Sequence, residues 1–69
     1  MKVIVTSNGD PIESWPCSSV DEAKRTKAGR VSEYRSEGRS MFDPQIIVSI
    51  EGLSEDTPTV IGGNPLGNL

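Results

Sequence analysis

Histidine is absent from this 69-residue chain, and cysteine occurs once, at Cys17. The first absence removes the base that most Ser and Cys nucleophiles depend on. The lone thiol excludes an internal disulfide and leaves too few ligands for a zinc site of the usual Cys or His type. No metal and no cofactor is therefore expected. Aromatic side chains are scarce too: Trp15, Tyr34 and Phe42 are the only three. They are expected to carry a large share of the apolar burial, so that losing any one should be felt. No apolar run approaches the roughly 20 residues of a membrane span. The opening Met1-Lys2-Val3-Ile4-Val5 is too short and too soon polar for a signal peptide. A soluble protein of the reducing cytoplasm is the expectation.

What the chain does contain is charge, unevenly placed. The net charge is −3, yet Lys24, Arg25, Lys27, Arg30, Arg35 and Arg39 all lie in the central segment, while Asp43, Glu51, Glu55 and Asp56 follow with no Lys or Arg. A basic helix and an acidic C-terminal region are separate features, and the overall balance argues mildly against general affinity for nucleic acid.

Residues 20–38 carry the helix signal. Ser19-Val20-Asp21-Glu22 fits a capping box, with Asp21 and Glu22 where the macrodipole favours negative charge. Val20, Ala23, Ala28, Val31 and Tyr34 share one thin apolar arc at about 100° per residue, flanked by Lys24, Lys27 and Arg35. Asp21 with Arg25 and Arg30 with Glu33 have ion-pair spacing. Gly29 weakens the pattern from the solvent side, and Gly38 ahead of Asp43-Pro44 supplies the stop.

Three strands are expected, over residues 2–6, 12–16 and 45–51. The first two are joined by Asn8-Gly9, a hairpin turn signal, since both residues tolerate positive φ. Pro16 lacks the amide of a central ladder and places the second strand at an edge. The order strand, strand, helix, strand predicts a small two-layer α+β domain over residues 1–51, ββαβ, with one helix on a three-stranded antiparallel-type sheet. The third strand is expected beside the first. Residues 52–69, rich in Gly, Pro, Asn and acids, read as a flexible tail, with Val60 and Ile61 able to dock or add a short strand.

Candidate chemistry is thin. Cys17 before a helix N-terminus has no base and reads as a small buried residue at a strand-to-helix junction. Ser18 and Ser19 read as capping groups. No carboxylate pair stands out, Asn8-Gly9-Asp10 is only the beginning of a calcium loop, and the late glycines precede no helix that could cradle phosphate. Binding needs less: a free strand edge, an apolar patch, or a segment that folds on contact.

In size and element order, residues 2–51 resemble many small bacterial and phage-encoded proteins, including HicB-like and host-takeover inhibitor proteins. No diagnostic residue carries that resemblance, and it implies only a regulator that acts by binding. The expectation is a non-enzymatic module that recognises a protein partner, such as a phage or mobile-element accessory protein directed at host machinery. Trp15, Arg25, Arg30 and Arg39 are the candidate contact residues. Nucleic-acid binding through the basic helix face is the alternative, and a homodimer through the sheet edge is also open. Membrane association is not expected.

Overall fold

The computed structural model describes residues 1–40 and 42–63. Its framework starts from the turn at Asn8 and Gly9, whose φ values of 51° and 89° are both left-handed. That geometry matches the twist of a two-residue hairpin and joins β1 (Lys2–Ser7) to β2 (Asp10–Pro16). After α1 (Val20–Ser36), the chain returns as β3 (Ile46–Glu51) and β4 (Thr59–Ile61). All neighbouring strands are antiparallel, in the order β2-β1-β3-β4. Helix and sheet form two layers, a small α+β domain.

The ladder phase decides what each strand shows to the outside. Cys17 donates its backbone N–H to the Met1 carbonyl at 3.0 Å. Alternation in antiparallel pairing then turns the backbone groups of Val3 and Val5 toward β2, and those of Lys2, Ile4 and Thr6 toward β3. The Asn8 N–H to Gln45 carbonyl bond of 2.9 Å agrees with that phase. On β2, Trp15 and Glu13 therefore bond inward, whereas Pro16, opposite Lys2, and Pro11, opposite Thr6, face the free edge. The amides that proline lacks are the ones solvent would have taken. Between these prolines the register slips at Val5/Thr6, leaving Ile12 as the extra residue of a bulge.

Side chains alternate with the same regularity. Val3, Val5, Ile46, Val48, Ile50 and Ile61 point to the helix and are buried against Ala23 and Tyr34, with Cys17, Val31 and Leu53 at the margin. Ile4, Thr6, Ile47, Ser49 and Val60 lie on the opposite face by the same alternation.

Two expectations need correction. The sheet has four strands, not three, because β4 forms inside the segment read as a tail. The composition of that segment could not build a core, but Ile61 needs only to join one: it pairs with Ile46 and is 6 % exposed. Residues 64–69 of the expected tail lie outside the described residues. The aromatics also divide differently from expectation. Tyr34 is buried, Trp15 is 42 % exposed and Phe42 is 91 % exposed. Phe42 sits beyond the sheet in a tight turn, where Ser40 N–H donates to Asp43 Oδ2 at 2.8 Å and Asp43 N–H to the Ser40 carbonyl at 3.2 Å. Branched aliphatic residues of the sheet thus supply most of the core.

The helix begins as its sequence suggests, with Ser19 Oγ accepting from the Glu22 amide at 3.1 Å. The Glu22 carboxylate, however, accepts from Ser18 Oγ at 3.1 Å instead of turning back to Ser19. Gly29 faces open space, and Gly38, φ 70°, follows the Glu37 cap. Among the described residues, neither Asp21 with Arg25 nor Arg30 with Glu33 forms an ion pair; Arg30 turns to Glu13.

Candidate functional site

The helix has two flanks over the sheet, and its sequence makes them unlike. On the β2 side, Glu13 points inward from its strand and gathers three donors. Its carboxylate accepts from Trp15 Nε1 at 3.2 Å and from the Tyr34 hydroxyl, and lies 3.4 Å from an Arg30 terminal nitrogen. The Arg30 guanidinium stands 5.4 Å from the centre of the Trp15 ring and 5.6 Å from that of Tyr34, within cation–π range of both. Arg39 covers Tyr34 at 5.5 Å and donates to the Pro44 carbonyl at 3.2 Å. Its Nε is 3.3 Å from Glu37 Oε1, an ion pair without hydrogen-bond alignment. Burial, then the bond to Glu13 and its negative charge, raises the Tyr34 phenol above its ordinary value against the opposing pull of Arg30.

Three of the four contact residues named from sequence, Trp15, Arg30 and Arg39, are thus brought together, but into a cluster that largely satisfies itself. Arg25 is not part of it. That side chain is exposed in the first turns of α1, beside Asp21, Glu22 and Thr26. Of the six central cations, Lys27, Arg30 and Arg39 are committed to acids of this chain.

On the β4 side the helix is only partly covered. Lys24, Ala28, Val31 and Arg35 recur at helical spacing and form one stripe. Opposite them lie residues 53–59, and between the two runs a groove of 620 Å³, open to solvent along one side. Ala28, Val31, Ile50 and Leu53 give it an apolar floor, and Thr57 and Thr59 stand on the far wall. Lys24 lies 4.0 Å from the exposed Glu55, a loose surface pair. Among the described residues Arg35 has no ion-pair partner.

A single carboxylate fixes the far wall. Ile50 directs its N–H toward β4, which is too short to reach it, and Asp56 Oδ2 takes that proton donor at 2.8 Å. Asp56 Oδ1 also receives Lys27 Nζ at 2.7 Å, and the same ammonium donates to the Thr57 carbonyl at 2.6 Å. Burial by itself would raise the Asp56 carboxyl. The Lys27 bond, the Ile50 amide and the Lys27 charge together outweigh it and hold the group below its ordinary range. The sequence contained the stripe on the helix, but not the wall that makes it a groove, because nothing in an acidic, Gly- and Pro-rich stretch marks Asp56 as the substitute for a missing strand.

Cys17 is half-buried, its Sγ donating to the Trp15 carbonyl at 3.4 Å and toward Thr26 Oγ1 at 3.9 Å. Among the described residues no group of three His, Cys, Asp or Glu is placed to hold a metal ion, and no helix is long and apolar enough to cross a membrane. Compared with family models, curated proteins and solved structures, the chain matches none of them.

Proposed function

We propose that this chain is a non-enzymatic, cytoplasmic binding module that recognises a protein partner and regulates or inhibits it by occupying a surface. A phage or mobile-element accessory protein acting on host machinery is the setting this reading takes from the sequence outline. The observation that carries it is the groove on the β4 flank of α1: concave, apolar at the bottom, charged at the rim and left open by the chain's own packing. Protein interfaces combine those features, an apolar centre inside a polar rim.

Strand addition is disfavoured by the same geometry. Pro11, Pro16 and the bulge at Ile12 blunt the β2 edge, and β4 is three residues long with Pro58 before it, the devices by which edges resist pairing. Nucleic-acid binding is weakened because Lys27, Arg30 and Arg39 of the central cations are paired with acids of this chain.

The test is a pull-down from host lysate with the full chain, with and without nuclease, read by mass spectrometry. A protein retained after nuclease treatment, and lost when Ala28 is replaced by Trp, is the expected result. Capture that disappears with nuclease would support a nucleic-acid partner and overturn the reading. Reversal of Arg30 or Arg39 is a poor probe, since either change unpairs groups inside the Glu13–Tyr34 cluster; Arg25→Glu tests the remaining basic face without that complication.

A further inference from the structure

The rim of the groove carries information about its occupant. Lys24 and Arg35 are eleven residues apart on one stripe of α1, which is about 16 Å along the helix axis. An extended chain covers that distance in about five residues, at ~3.3 Å each. A small molecule bound at one cation would leave the other unused. Between the cations the floor is apolar and shallow, because Ala28 has no side chain beyond Cβ to fill it and Val31 is half-buried. The acidic groups nearest this floor are already answered: the Asp56 side chain is 8 % exposed and held by Lys27 and the Ile50 amide. Glu55 is 70 % exposed and only 4.0 Å from Lys24 at its nearest approach, a contact that an incoming carboxylate could replace at little cost.

We infer that the groove takes a short extended segment of a partner protein with acidic residues about four to five positions apart and apolar side chains between them. The inference rests on the binding reading above and deepens it. The acids pair with Lys24 and Arg35. The intervening apolar side chains lie over Ala28 and Val31 and against Leu53. Arg35 provides a planar fork suited to bidentate contact with a carboxylate, whereas Lys24 acts as a point charge. Discrimination follows from both ends: a basic segment meets two cations, and a purely polar one covers the floor without filling it.

The test starts from a displayed library of random twelve-residue peptides selected on the full chain. Affinities of the selected peptides are then measured by fluorescence anisotropy for the original protein and for variants. Enrichment of peptides with two acids flanking apolar residues is expected. So is a loss of affinity of tenfold or more in both Lys24→Glu/Arg35→Glu and Ala28→Trp, with Arg25→Glu within threefold of the original. Ala28 and both cations are exposed, and circular dichroism checks that each variant folds. Enrichment of basic or uncharged peptides, no enrichment at all, or affinity indifferent to Ala28→Trp would each overturn the inference. If peptides fail while a nuclease-resistant protein partner is still captured and protects the outer sheet face in cross-linking, the binding reading stands and the groove assignment falls. Sedimentation that reveals self-association abolished by Ala28→Trp would assign the groove to a second copy and likewise overturn it.

Discussion

Asp56 takes the place of a strand that is too short. Its two oxygens satisfy a backbone amide of β3 and an ammonium of α1, so removing it leaves one buried donor unpaired and one largely buried cation without its partner. Asp56→Ala is therefore expected to cost about 2–4 kcal/mol, lowering Tm by roughly 10 °C or more in a domain of this size. The pH dependence has a definite sign. A carboxyl held below its unfolded value of 3.8 contributes stability that is fully present above that pH and is lost as pH falls through the lower, folded value. Urea midpoints measured from pH 6 down to pH 2.5 should show this component in the original protein and lack it in Asp56→Asn. An unchanged acid slope in the variant would contradict the role assigned to Asp56.

At the same scale, the aromatics separate by position. Phe42 projects from a turn and is 91 % exposed, while Tyr34 is 7 % exposed beneath two arginines. Phe42→Ala should change stability by less than about 0.5 kcal/mol, and Tyr34→Ala should cost about 3 kcal/mol or more. Thermal or urea melts of the two variants decide the point. Composition gives no means of distinguishing them, because burial depends on where the chain turns and not on the ring.

Among the elements, α1 and the first three strands were legible for physical reasons that the structure bears out. Ser19 caps, Asn8-Gly9 turns, Pro16 lies on an edge, and Ile46, Val48 and Ile50 share a buried face. β4 was legible only as an option. A three-residue strand has too few positions for a period-2 pattern to register, and its hold on the sheet comes from β3 already being there. Ile61→Ala removes its buried anchor and is expected to cost about 2–4 kcal/mol, with faster amide exchange at Val48, whose ladder partner is Thr59. Gly29 makes the opposite prediction. An added Cβ meets no atom within 4 Å there, so Gly29→Ala should stabilise the protein by about 0.5–1 kcal/mol, read as a raised melting temperature with an unchanged spectrum.

For the molecule as a whole, the candidate site was legible in part. Ala28 and Val31 could be placed on the apolar arc from sequence, with Lys24 and Arg35 flanking it, but which flank of the helix lay open could not. That depended on Glu13 reaching across to Tyr34 and Arg30, closing one side, and on Asp56 fixing the opposite wall. Trp15, Arg30 and Arg39 stood out in the sequence as exposed cations and a rigid aromatic; in the fold their strongest neighbours are one another and Glu13. The two sheet edges, one bordered by prolines and the other nearly too short to be an edge, favour a groove over a ladder for the proposed binding role.

The most direct measurement of that claim is amide chemical-shift mapping of the uniformly ¹⁵N-labelled chain on titration with the partner recovered after nuclease treatment. The account predicts that the largest changes fall at Ala28, Val31, Leu53 and Thr57, with β2 near its unbound shifts. Changes centred on Ser14 and its neighbours along the β2 edge, with the groove unaffected, would contradict it.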